Sequence, residues 1–149
     1  MIYLSQRDQK WASKRLGASS LTVGRFGCTT TCISMLSDYF KCYQSPGLIS
    51  SFVTYYTPSG LILWNKLNFQ KMKFVERVRR FDSTKIQESL KHPKKAVILE
   101  VNDGAHWVVG VKKNLIGKDY TAVDPWTGKQ CQVLATYKNI TGSAHFEAK

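Results

Sequence analysis

The chain has 149 residues, 43% of them hydrophobic and 21% charged, which suits one domain over residues 1–149 with its own core. No apolar run is long enough to span a bilayer, and Met1-Ile2-Tyr3-Leu4-Ser5-Gln6-Arg7-Asp8 lacks the basic and apolar regions of a secretory signal. The net charge of +12 favours a polyanionic partner, yet neither zinc-finger spacing nor an RNA-binding aromatic signature accompanies it, which argues against specific nucleic-acid recognition.

Residues 1–4 read as a short strand or extended lead, and Arg7 to Gly27 as an irregular segment pinned by Trp11 and Leu16. From Cys28 to Phe40 the apolar residues Cys32, Ile33, Leu36, Tyr39 and Phe40 fall at helical spacing. Ser45-Pro46 signals a second helix, with serine as cap and proline at the first helical position, and Leu48, Ile49, Phe52 and Val53 as its buried face. A short third helix is predicted within Leu61 to Leu67, then a strand over Lys73 to Phe81. Thr84-Lys85-Ile86-Gln87 has the form of a capping box opening a helix that must stop before His92-Pro93. Four strands follow, Ala96–Val101, His106–Lys112, Tyr120–Asp124 and Gln130–Leu134. Helices first and an antiparallel sheet after them make the expected class α+β.

Four cysteines stand at 28, 32, 42 and 131, with no Cys-x-x-Cys pair, so a zinc site is not expected and free thiols are. Cys32 lies within the apolar stripe and reads as core. Cys28 differs, because it opens the helix. A helix N-terminus and a neighbouring imidazolium both favour a thiolate. The second condition points to His106 at the start of one strand and Asp124 at the end of the next. A hairpin centred on Leu115 sets these two directly opposite, with Cβ atoms about 4.5–5.5 Å apart. A thiol, an imidazole and a carboxylate are the parts of a cysteine-nucleophile hydrolase, provided the helix N-terminus packs on the sheet face that carries His106. The Cys28 amide and the Gln6 side-chain amide are candidate donors to an oxyanion, the latter because a primary amide donates without competing for the imidazole's proton. His92 and His145 lie in polar surroundings and read as exposed bystanders.

Together these residues resemble the papain-clan cysteine peptidases related to the bacteriocin-processing (double-glycine leader) family, in free-standing form. Gln6-x-Asp8-x-x-Trp11 looks like that family's glutamine motif, Gly27-Cys28-x-x-Thr31 like its nucleophile motif, His106-Trp107-Val108-Val109 like its histidine motif and Asp124-Pro125-x-x-Gly128 like its aspartate motif. The resemblance spans residues 3–128. It implies a papain-like fold, Cys28 as nucleophile, His106 as general base and acid, Asp124 as its orienter, Gln6 as oxyanion donor, and no metal or organic cofactor. Many relatives carry Gly-Pro after the cysteine, where this chain has Thr29-Thr30.

The expected activity is hydrolysis of amide bonds. A peptidoglycan peptide is the preferred substrate, since no transporter is fused to the domain and a basic surface is drawn to anionic cell-wall polymers. The alternatives are processing of a protein or leader peptide, and a catalytically silent module that binds a peptide or polyanion. The chain is expected to act as a monomer, in the cytoplasm or on the cell wall after release without a classical signal.

Overall fold

The computed structural model describes all 149 residues. Its class is α+β, built on one six-stranded antiparallel sheet. The strands are β1 (Met72–Val78), β2 (Lys95–Val101), β3 (His106–Lys113), β4 (Tyr120–Asp124), β5 (Lys129–Gln132) and β6 (Ile140–Ala148), in the spatial order β1-β6-β2-β3-β4-β5. The helices are α1 (Val23–Phe26), α2 (Cys28–Tyr39), α3 (Pro46–Ser51), α4 (Ser83–Lys91) and α5 (Val133–Tyr137). None is long and apolar enough to cross a membrane.

Both faces of the sheet are covered. One carries the main core, where Cys32, Ile33, Met35 and Leu36 of α2 meet Ile98, Trp107, Val109, Val123, Ala144 and Phe146. The other packs Ile86 of α4 and Val133 of α5 on Val97, Leu99, Val101, Val108, Tyr120 and Ala122. Helix α2 is enclosed well beyond its apolar stripe. Thr30, Thr31, Ser34 and Ser37 are also buried, and the hydroxyls of Ser34 and Ser37 donate to the carbonyls of Gln44 and Ser34 at 2.6 and 2.7 Å. Trp11 and Leu16 are buried, as expected of anchors.

The strand β6 was not anticipated, although it lies between β1 and β2. Its run Ile140-Thr141-Gly142-Ser143-Ala144-His145-Phe146 is covered on both faces, so it lacks the polar–apolar alternation of a half-exposed strand. Residues 1–4 pair with no strand. They run extended beside α2, with the Ile2 amide donating to Asp38 at 2.8 Å. The segment Leu61–Leu67 contains only a short 3-10 turn, Trp64–Lys66. Ser45 caps α3 and Pro46 opens it as expected, but Leu48 and Val53 are exposed and Ile49 carries the burial. The cap of α4 is Asp82, whose Oδ1 accepts from the Lys85 amide at 3.1 Å, and not Thr84. A carboxylate at that end also suits the helix dipole. The chain turns helical at Val133, so β5 is shorter than the strand predicted over Gln130–Leu134.

Candidate active site

The site forms where one end of the sheet meets the N-terminus of α2. Glycine is required at position 27 by close packing: a Cβ there would lie 2.5 Å from the Val23 carbonyl oxygen. With that approach allowed, the single turn of α1 passes directly into α2, and Cys28 becomes the first residue of a twelve-residue helix. Its first turn is held against the start of β3 by Cys32, whose thiol donates to the Trp107 carbonyl at 3.4 Å. Thr30, in the Thr29-Thr30 pair, shares a hydrogen bond of 2.8 Å with the Tyr56 hydroxyl.

His106 opens β3 and Asp124 closes β4 at the same end of the sheet. Their side chains meet, with His106 Nε2 and Asp124 Oδ1 2.8 Å apart. The register differs from the one expected. Val109 pairs with Val123 and Gly110 with Ala122, whereas Lys112 pairs with Thr121, because Val111 forms a bulge. Beyond Val109 this sets Val108 across from Asp124 and places His106 on the diagonal. A diagonal neighbour on the same face remains within reach of a long side chain. The face also differs from expectation. Helix α2 packs on the side of Trp107 and Val109, while alternation puts His106 with Val108 on the side of α5. As the first residue of its strand, His106 sits at the rim where both sides meet.

The carboxylate is held on both oxygens. Asp124 Oδ1 also accepts from the Trp126 amide at 2.8 Å, and Oδ2 accepts from the Tyr137 hydroxyl. Tyr137, at the end of α5, lies beside the imidazole with ring centroids 5.3 Å apart. The sequence carried no signal for its role, which depends on α5 folding back beneath β4. Burial opposes the charge of Asp124, but the hydrogen bonds from His106, Tyr137 and the Trp126 amide hold its carboxyl below the usual range. Burial likewise opposes a charged imidazole. The hydrogen bond with Asp124, the neighbouring Cys28 and the charges of both outweigh it and push His106 up to about 9. Nε2 is taken by Asp124, and Nδ1 has no hydrogen-bond partner; the Cys28 sulfur lies 4.0 Å from the Thr29 hydroxyl.

Gln6 is almost fully buried at the same place. Its backbone amide donates to the Pro125 carbonyl at 2.7 Å, which ties it to the loop after Asp124. Its side-chain Nε2 donates to the Gly24 carbonyl at 3.2 Å, leaving a second hydrogen on that nitrogen, and Oε1 has no partner. Gln6, Cys28, His106 and Tyr137 line one open cleft of about 360 Å³, together with Arg25, Phe26 and Trp126. That volume is in the range of small-ligand sites. An apolar groove of about 260 Å³ elsewhere, beside Met1, Tyr3 and Tyr39, brings no such set of groups together.

The other candidates separate from this cleft. All four cysteines are free. Burial, and then the charges of Cys28 and Asp124, push the Cys32 thiol well up. Burial and nearby Asp124 and Asp119 push Cys131 up to about 11. His92 is exposed, as expected, but His145 is buried. Its Nδ1 is 2.8 Å from the Ser89 hydroxyl and its Nε2 is 2.8 Å from that of Ser143. The polar sequence around it concealed a strand covered by α4.

Of the four candidate residues, Gln6, Cys28 and His106 thus line one cleft with Tyr137 and Arg25, and Asp124 is joined to it through its hydrogen bond with His106. Comparison with protein-family models, with curated proteins and with solved structures finds no match.

Proposed function

We propose that the chain is a papain-like cysteine hydrolase of amide bonds. The observation that carries this reading is the convergence of the Cys28 helix start with an imidazole already hydrogen-bonded to a buried carboxylate. In the resting site Nε2–H donates to Asp124 and the second proton of the imidazolium faces the Cys28 sulfur. The thiolate attacks the substrate carbonyl carbon, and the Cys28 amide and Gln6 Nε2 receive the resulting oxyanion. The imidazolium gives its proton to the leaving nitrogen as the C–N bond breaks, leaving a thioester. The neutral imidazole then takes a proton from water, whose oxygen attacks the thioester. The C–S bond breaks and the thiolate–imidazolium pair returns. Asp124 stays ionised and keeps the ring oriented.

The test is the alkylation rate of Cys28 by iodoacetamide against pH, mapped by mass spectrometry. Buried Cys32 and half-buried Cys131, both with raised thiols, are the internal controls. A fast reaction that persists well below pH 7 and is lost in His106→Ala supports the reading. A rate that rises only near pH 8.5, the value for an unperturbed thiol, overturns it and favours a silent binding module.

For the substrate we propose a peptide of bacterial peptidoglycan, on the strength of the net charge of +12 and the affinity of such a surface for anionic wall polymers. Release of amino groups from purified wall by the protein, and not by Cys28→Ala, checks it. Cleavage of glycine-rich peptides in place of wall would favour the leader-processing alternative.

A further inference from the structure

The cleft is flanked by two arginine–aromatic pairs. On the α1 side the Arg25 guanidinium lies 5.6 Å from the centre of the Phe26 ring. At Trp126, which also lines the cleft, Arg7 lies 4.5 Å from the centre of the indole ring, and its Nε donates to the Trp126 carbonyl at 2.9 Å. Phe26 and Trp126 are both about half exposed, so both present an open aromatic surface. The two arginines differ in what they have left to give. Arg7 is pinned by its carbonyl acceptor. Arg25 is exposed, belongs to no ion pair and donates to no group of the protein.

The remaining charges of the cleft favour an anion. No carboxylate lines it: Asp124, behind His106, is buried and already accepts from His106, Tyr137 and the Trp126 amide, and Asp103, in the turn between the lining residues Asn102 and Ala105, accepts from the Asn139 side chain. Nothing acidic lines the opening to neutralise Arg25. A guanidinium offers five donors in a planar fork that fits a carboxylate with two parallel hydrogen bonds. Arg25 stands three residues before Cys28, at the mouth of the pocket that holds the thiol.

From this arrangement we infer that Arg25 selects the substrate of Cys28 by its charge, and that the peptide cleaved carries a carboxylate close to the amide attacked. The inference rests on the hydrolase reading and narrows it to anionic peptides. Arg25 takes no part in bond making: it binds the carboxylate while Phe26 supplies an apolar floor beside it.

Alkylating probes read this without a known substrate. Iodoacetate and iodoacetamide differ by a carboxylate, and N-iodoacetylglycine and its amide carry the same difference one residue farther from the reacting carbon. The rate at Cys28 is measured with each member of both pairs at pH 7, in the unmodified protein, in Arg25→Gln and in Arg79→Gln. The last removes the same charge from an exposed position that does not line this cleft. His106 also favours an anionic reagent, so the deciding quantity is the change in the anionic-to-neutral ratio on substitution. In Arg25→Gln the ratio for at least one probe pair should fall about three- to ten-fold, the range of one exposed to partly desolvated charge-assisted contact. It should hold in Arg79→Gln, and the difference between variants should shrink as salt is raised. A reactive Cys28 whose ratios are the same in Arg25→Gln and the unmodified protein overturns this inference and leaves the hydrolase reading standing. A Cys28 no faster than Cys42 with any of the four probes overturns both.

Discussion

His106 and His145 are carried by the same sheet, on β3 and β6 with only β2 between them, and both are shielded from solvent. Burial presses each towards the neutral form, yet they end on opposite sides of the ordinary histidine value. His145 meets two serine hydroxyls, which can give one hydrogen bond to a neutral ring and take one from it. Burial prevails over the charge of Glu76, its cross-strand neighbour, which is itself paired with Lys85; Lys85 adds to the lowering, Asp82 and Glu88 oppose it, and the group is lowered. His106 meets a carboxylate that is itself fixed by Tyr137 and the Trp126 amide, and it is raised to about 9. The contrast teaches that shielding alone does not make a histidine inert. The charge of the partner decides whether the ring becomes structural filling or an acid that can act at neutral pH.

The strongest way to break the contrast is Asp124→Asn. The side chain keeps its size but loses its charge, so His106 should behave like His145. Its titration, followed by proton NMR of the ring, should fall from about 9 to below 7. Hydrolysis should drop by about 10²–10⁴-fold, the range for losing a correctly poised general acid and base. The part of Cys28 alkylation that persists below pH 7 should vanish. A titration left near 9 would show that the carboxylate is not what raises the imidazole. The converse substitution is Ser89→Asp, which gives His145 a carboxylate where it now has a hydroxyl. Its titration should rise by about 1–3 pH units, while Cys28 alkylation stays as it was. If the variant instead destabilises the fold and leaves His145 neutral, the pocket between α4 and β6 cannot accept a second charge.

The same contrast marks what the sequence could and could not disclose. Cys28, His106 and Asp124 were legible because each stands at the end of an element, where spacing and turn residues give strong signals, whereas Gln6 belongs to no helix or strand and rested on the chemistry of its amide and on the resemblance. The way they meet was not. The turn is centred between Ile116 and Gly117, past Leu115, and the bulge at Val111 then shifts the pairing by one residue, so that Asp124 stands across from Val108 and not His106; nothing in Gly110-Val111-Lys112 announces the bulge. His145 was misread because β6 is covered on both faces and so shows no alternation to separate it from a loop. Tyr137 was missed for a different reason. The segment after Gln132 has enough β-branched and aromatic residues to continue a strand, and it turns helical where Val133 packs beneath β4 and the Asp119 carboxylate accepts from the Leu134 and Ala135 amides. Helix starts, in contrast, were read well where a side chain decides them, as at Ser45, and less well where two candidates compete, as with Thr84 and Asp82.

Tyr137→Phe sharpens the comparison more gently, by loosening the carboxylate without removing it. The phenol that donates to Asp124 Oδ2 disappears and the ring stays. Loss of a hydrogen bond to a charged group costs about 1.5–3 kcal/mol, read as a lower midpoint in urea at pH 7. The sign on the acid side also follows. Asp124 is held below the usual carboxylate range partly by this donor, so the variant's carboxyl takes up its proton at higher pH and acid unfolding begins earlier. A variant with unchanged midpoint and unchanged acid limb would assign the work to His106 and the Trp126 amide alone.

The smallest expected effect lies in the pH dependence of stability, where the two histidines pull in opposite directions. His106 is raised in the folded state, to about 9 from 6.5. Its contribution is fully present below 6.5 and is lost as pH rises through about 9, because the folded chain holds a proton the unfolded one has released. His145 is lowered in the folded state. Its contribution is present above 6.5 and is lost as pH falls below that value, because the unfolded chain then takes up a proton that the buried ring refuses. Near neutrality the two slopes oppose each other, so the melting temperature of the unmodified protein should change little between pH 6 and 7.5. It should then fall towards pH 9.5 as His106 loses its proton. Asp124→Asn removes the first slope and leaves the second, so its melting temperature should rise with pH from 5 to 7.5 and then level off. Ser89→Asp reverses the sign at His145, adding its slope to that of His106 and steepening the alkaline fall. A decline of the same size above pH 7.5 in Asp124→Asn would place the alkaline sensitivity in lysines or tyrosines and not in the His106–Asp124 pair.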